Sequence, residues 1–136
     1  MGIDEITTRI AGLETLENKY NQSKYLCIHE FPELTAVCPV TRLPDFYDMK
    51  VIYEPDERLI ELKSFKLYLN SFRDKEILHE EITNEILNRI INAVNPRMAK
   101  IEMKVRIRGG IQTTITRNWS SANGDSTNTT QENSFN

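Results

Sequence analysis

The sequence predicts an α+β domain in which two hairpins form an antiparallel sheet and two helices pack on one of its faces. Three observations carry this. Residues 100–107 (KIEMKVRI) put Ile101, Met103, Val105 and Ile107 on one side and charged residues on the other. Gly109-Gly110 then turns the chain, and residues 111–117 return as a second strand. Leu78, Ile82, Ile86, Ile90 and Val94 recur one helical turn apart. Residues 46–53 (FYDMKVIY) read as a strand, residues 54–57 (EPDE) as a turn whose proline pre-sets φ, and residues 58–61 as the returning strand. A hairpin, two helices and a second hairpin, in that order, make a sheet covered on one face.

Residues 1–24 form a polar N-terminal extension, where Ile10, Leu13 and Leu16 fall at the spacing of a short helix. Residues 25–31 (YLCIHEF) alternate as a strand, and Pro32, Pro39 and Pro44 punctuate a loop after it. Leu62, Phe65, Leu69 and Phe72 mark one face of the first helix. Asp74 is a suitable N-cap for the second, and Asn95-Pro96 ends it, because a residue before proline avoids the helical region. From Ser120 to the end the chain is almost wholly Ser, Thr, Asn, Gly and Gln, the composition of a disordered tail. This leaves residues 25–119 as a single folded domain.

A chain of 136 residues, 39% apolar, has enough hydrophobic side chains for one modest core. A net charge of −3 argues against a general nucleic-acid or membrane-surface binder. No run of about 20 apolar residues is present, and residues 1–20 lack the apolar core of a signal peptide. A cytoplasmic protein is expected. There Cys27 and Cys38 are poor disulfide candidates, and two Cys with two His make a structural zinc site an unpromising reading.

Cys38 lies in a loop pinned by prolines, with Arg42 and Asp45 close in sequence. A thiolate there would be a nucleophile, and Asp45 could shuttle a proton. Spacing alone favours the other reading, in which Cys38 is buried and inert and Asp45 an ordinary loop residue, since free cysteines are among the most buried residue types. Cys27, inside an alternating strand, reads as core, and His29 as structural. Lys63 and Lys66 share a helix face and oppose the helix dipole, which suits an arriving anion such as phosphate. That anion would be held by N-terminal amides and ammonium groups together. A solvated basic face is the plain alternative. Arg108, before the Gly109-Gly110 turn, could reach the same anion or only decorate the hairpin. His79-Glu80 opens the second helix, either as a cap or to read the hydrogen-bonding edge of a base-like ligand. The sequence continues Glu-Ile-Thr, so it is not a metalloprotease H-E-x-x-H, and no Rossmann fingerprint or P-loop occurs.

Taken together these strings resemble one family. Residues 61–68 (ELKSFKLY), followed by Ser71-Phe72-Arg73 and Ile77-Leu78-His79-Glu80, resemble the signature of the NADPH-dependent 7-cyano-7-deazaguanine reductases, the nitrile reductases of queuosine biosynthesis, a tRNA modification pathway. Cys38-Pro39-Val40-Thr41 with Pro44-Asp45-Phe46 resembles their catalytic loop, and Arg108-Gly109-Gly110-Ile111 their last motif. The resemblance implies a tunnelling fold of the short, single-module type. Its subunits join sheets into rings, commonly two stacked pentamers, with active sites between subunits. It implies that Cys38 adds to the nitrile carbon as a thioimide and that Asp45 protonates the nitrogen. His79 and Glu80, with Ile60, Glu61 and Leu62, would bind the deazapurine, and Lys63, Ser64, Lys66 and Arg108 the NADPH. Arg42-Leu43 stands where the family often has a glycine and a polar residue.

Two other functions fit part of the pattern. An amidine-forming enzyme acting on 7-cyano-7-deazaguanine in tRNA would keep Cys38, Asp45, His79 and Glu80. It would not need the cofactor lysines, and the acidic net charge suits a tRNA binder poorly. A non-catalytic ring protein binding a purine or pterin would have no use for Cys38 beside an acid. The expected partners are a small deazapurine and further copies of the chain, with no stable nucleic-acid binding and no membrane.

Overall fold

The computed structural model describes residues 12–127. Its elements are β1 (Thr15–Glu17), β2 (Cys27–Val37), β3 (Pro44–Glu54), β4 (Arg58–Ile60), α1 (Leu62–Asn70), α2 (His79–Val94), β5 (Met98–Arg108), β6 (Ile111–Ser120) and β7 (Gly124–Ser126). The main sheet is antiparallel in the order β2-β3-β5-β6-β7, and β1 and β4 make a separate two-stranded piece. The α+β class and the helix-covered face are as expected, and the ladder between β5 and β6 turns at Gly109 and Gly110, both at positive φ.

One core sits between the sheet and the helices. Leu34 and Ala36 of β2, Tyr47, Met49, Val51 and Tyr53 of β3, and Ala99, Ile101, Met103 and Val105 of β5 face it at period two. The helices close it with Phe65, Tyr68, Leu69, Ile82, Ile86, Leu87, Ile90 and Val94. Asn95 ends α2 in the left-handed conformation.

The first hairpin differs from expectation. The partner of β3 is β2, joined by the short loop of residues 38–43, and the other side of β3 is taken by β5. A strand paired on both sides has no edge left, so β4 turns away and pairs with β1. The helical spacing of Leu13 and Leu16 is therefore overridden by strand pairing, and Ile10 lies outside the described residues. Residues 13–20 belong to the folded body: Asn18 is buried, its amide donates to the Asp56 carbonyl, and Arg97 donates to the Asn21 carbonyl.

Two of the three loop prolines stand in strands. Pro32 falls on edge strand β2 at a register shift between Phe31 and Leu34, where no ladder donor is needed, and Pro44 is the first residue of β3. Asp74 is not an N-cap, because α2 begins five residues later. The intervening segment is spent bridging to β2: Val37 N–H donates to the Lys75 carbonyl, and Ile77 N–H to the Val37 carbonyl. Part of the polar tail is ordered, since Gly124–Ser126 pairs with β6 and Arg117 holds Asp125. Residues 128–136 lie outside the described residues. No helix among the described residues is long and apolar enough to cross a membrane.

Candidate active site

Cys38 closes β2 and opens a tight loop. Its N–H donates to the Leu43 carbonyl, and Arg42 N–H donates back to its carbonyl at 2.8 Å. That closure requires Arg42 to adopt φ +63°, the left-handed region that favours glycine. The site where the family often has glycine is thus one where the backbone wants it, and here Arg42 occupies it with its guanidinium 3.2 Å from Glu76. The Cys38 Sγ is partly exposed and accepts from Thr41 N–H at 3.4 Å. Hydrogen bonds from the Thr41 side chain and from the Thr41 and Val40 backbone hold its thiol below the ordinary range, against a smaller opposing push from Asp45. An inert core cysteine would show neither feature, so the buried reading of Cys38 does not hold.

Asp45 faces the same corner. It sits opposite Ala36 in the β2–β3 ladder and is only 6% exposed. Its Oδ1 accepts from Arg108 Nη1 at 3.1 Å, while Oδ2 is buried without a hydrogen bond and lies 3.9 Å from His79 Nδ1. His79 Nδ1 shares a hydrogen bond of 2.8 Å with the Tyr47 hydroxyl, the proton's position depending on the imidazole tautomer. Burial raises the Tyr47 phenol well above its ordinary range, and the charges of Asp45, Cys38 and Glu80 add to this. One buried, neutral hydroxyl therefore looks onto all three groups.

The bridge from Val37 to residues 75–77 delivers His79 and Glu80 to this corner. Neither caps the helix. Glu81 reaches back to Leu78 N–H at 3.0 Å, and the exposed Glu80 has its carbonyl bonded by the Asn84 amide while its carboxylate makes no hydrogen bond or ion pair among the described residues. Tyr47 and Thr41 were not singled out from the sequence as site residues. Tyr47 had a signal: it is two positions from Asp45 on one strand, so the two share a face.

The remaining predicted residues gather elsewhere. Ile60 N–H donates to the Tyr53 hydroxyl at the far end of β3. Glu61 is the N-cap of α1, its carboxylate accepting from Lys63 N–H and Ser64 N–H at 2.8 Å each. Those bonds, that of Ser64 first, lower its carboxyl below the usual range. The helix-terminal amides are thus already satisfied by the chain's own carboxylate, and an arriving anion meets ammonium groups instead. Ser64 is buried, its hydroxyl donating to the Glu61 carbonyl and accepting from Glu14 N–H. Lys63 and Lys66 are exposed and make no ion pair among the described residues. Leu62 is exposed, and Lys66 edges an open groove of about 460 Å³ with Leu62, Phe65 and His29. An unpaired pair of cations beside a partly apolar groove fits a phosphate-bearing dinucleotide with a flat ring.

Asp45 and Tyr53 are eight residues apart on β3, or about 26 Å at the strand rise. The groove itself runs along β2 from Ile28 to Glu33 beside α1, and Cys38 follows the last residue of that strand.

A partly exposed thiol, a buried carboxylate and a histidine thus meet at one corner of a sheet-and-two-helix fold, the residue types a thiol-dependent enzyme uses. A family model described as "QueF-like protein" matches residues 44–123, and the chain belongs to that family. A protein from Alkalilimnicola ehrlichii, named NADPH-dependent 7-cyano-7-deazaguanine reductase, is 46% identical over 103 residues, covering 76% of this chain and 80% of the relative. One of the same name from Magnetococcus marinus is 41% identical over 113 residues, covering 83% and 88%. The crystal structure of the apo archaeosine synthase QueF-Like superposes with a TM-score of 0.66 at 28% identity, covering 71% of this chain and 94% of that one.

Proposed function

We propose that this protein reduces the nitrile of 7-cyano-7-deazaguanine to the aminomethyl group with NADPH, as a step of queuosine biosynthesis. The names of relatives 41–46% identical support the reaction. The observation that carries the chemistry is the meeting of Cys38, Asp45 and His79 at one corner.

A nitrile accepts hydride poorly. In this reading Cys38 attacks its carbon, a C–S bond forms, one π bond of C≡N breaks, and Asp45 delivers the proton to nitrogen, giving a covalent thioimide. NADPH supplies hydride twice, once to the thioimide and once to the imine left when Cys38 departs. Glu80 accepts from the deazapurine ring and amino N–H groups, and His79, held by Tyr47, lies against the same edge. Lys63 and Lys66 bind the cofactor phosphates, while Ser64 and Glu61 shape the first turn that presents them.

The thiol corner and the Lys66 groove are separate surfaces of one chain, and in this reading a second copy of the chain completes the site. Ring assembly, with two stacked pentamers as the expected form, brings one chain's Cys38 corner to its neighbour's Lys63 groove. The imine is then formed at an interface that excludes water.

The test is the loss of nicotinamide absorbance on adding 7-cyano-7-deazaguanine, with two NADPH consumed per nitrile. Wild-type protein should also gain the mass of the substrate, and Cys38→Ala should not. An assembled preparation that oxidises no NADPH refutes the reductase function. The structural neighbour favours a second reading, an amidine-forming reaction on nitrile-bearing tRNA. That reading requires ammonia incorporation without NADPH oxidation.

A further inference from the structure

Arg108 is the residue whose observed position departs most from its expected one. It closes β5 and points across the sheet to the start of β3 rather than towards α1. Its Nη1 donates to the Pro44 carbonyl at 2.7 Å and to Asp45 Oδ1 at 3.1 Å. Asp45 is buried on every other side. Tyr47, which Glu80 also faces, flanks it on its own strand, His79 approaches from α2, and Cys38 faces it from the loop.

The two carboxylate oxygens are thereby made unequal. A guanidinium has five donors and no acceptor, so an oxygen it touches has no partner for a proton of its own. Oδ1 is in that position. Oδ2 is buried, makes no hydrogen bond and lies on the His79 side. An orphaned buried oxygen is costly unless something arrives to use it.

We propose that Arg108 is a positioning residue for Asp45: it claims Oδ1 and so reserves Oδ2 as the atom that carries the proton to the nitrile nitrogen. This rests on the reductase reading, in which Asp45 is the acid. The Cys38 thiol yields its proton to Oδ2 and the thiolate attacks the nitrile carbon. One π bond of the nitrile opens, and the Oδ2 proton passes to nitrogen. Asp45 returns to a carboxylate held through Oδ1, and no other reactant is needed. The Pro44 carbonyl contact fixes the guanidinium, so the carboxylate cannot rotate to exchange its oxygens without breaking the Nη1–Oδ1 bond.

Formation of the Cys38 adduct in the absence of NADPH, followed by intact-protein mass against time, tests this. Arg108→Met should slow adduct formation about tenfold or more, since small misplacement of a catalytic group costs up to about a hundredfold. Arg108→Lys, which keeps a donor-only cation, should recover part of the rate, and the KM for NADPH should change less than the adduct rate. On an Asp45→Asn background the same Arg108→Met change should cost nothing further, because the two act as one unit. A thermal midpoint near the wild type's shows that the variant is folded, and Arg108→Lys serves as the test should Arg108→Met not fold. An unchanged adduct rate with a raised NADPH KM overturns the proposal and assigns Arg108 to the cofactor alone. An equal penalty on both backgrounds also overturns it. Failure of the wild type to form any adduct overturns the reductase reading itself.

Discussion

Co-expressing a Cys38→Ala chain with a Lys63→Ala/Lys66→Ala chain should restore activity that neither protein has when made alone. The reasoning is geometric. Cys38 precedes the loop into β3, whereas Lys63 sits in the first turn of α1, beside the Tyr53 end of that strand. About 26 Å separates the two ends of β3, and Lys66 lines a groove along β2 that does not include Cys38. If each site takes its thiol from one chain and its lysines from the next, a random one-to-one mixture contains about a quarter of sites with both halves intact. The chains would carry different tags, mixed assemblies would be isolated through both tags in turn, and NADPH oxidation would be read under substrate saturation. The expected rate is about a quarter of the wild type's per site. A mixture no more active than its two inactive components would show that thiol and lysines act within one chain, and the composite site would be wrong.

Further outcomes follow from single contacts. Thr41→Val removes the hydroxyl that helps hold the Cys38 thiol low, so the pH midpoint of Cys38 alkylation by iodoacetamide should move upwards; an unmoved midpoint would leave the backbone donors as the whole cause. Tyr53→Phe leaves the Ile60 N–H without its buried acceptor and should cost about 1–3 kcal/mol in urea unfolding. Glu61 has a lowered carboxyl in the fold. The stabilisation it gives is present above its unfolded pKa and is lost as pH falls through the folded one. Urea midpoints should therefore fall more steeply below about pH 4.5 in the wild type than in Glu61→Gln, and parallel curves would show that the cap is not coupled to folding.

The second half of the fold was legible because each segment's local pattern agrees with its tertiary use. Ile101, Met103 and Val105 alternate on a strand covered on one face, and Ile82, Ile86, Ile90 and Val94 line one helix stripe. The first half was misread where tertiary pairing decides. The EPDE turn looks like a hairpin bend, but β3 is already paired on both sides and cannot accept β4. Pro32 suggested a loop, yet on an edge strand its missing donor costs nothing. In the site, Cys38, Asp45 and His79 could be named from motif, and the structure brings those three together. What no motif carried was the partnership of Tyr47 with His79, or the destination of Arg108, because both depend on which strand lies beside which.

The pairing of β1 with β4 also sets an order of events during synthesis. Thr15–Glu17 leaves the ribosome early but has nothing to pair with until Arg58–Ile60 follows some forty residues later. Until then the first turn of α1 lacks the Glu14 amide that meets Ser64, and the lysines on it have no fixed direction. The thiol corner closes through the short loop between β2 and β3, which is local and fast. A nascent chain would therefore assemble its nucleophile before its cationic groove. Removing the first twenty residues would leave the former standing while the latter frays, a truncation that separates adduct formation from hydride transfer.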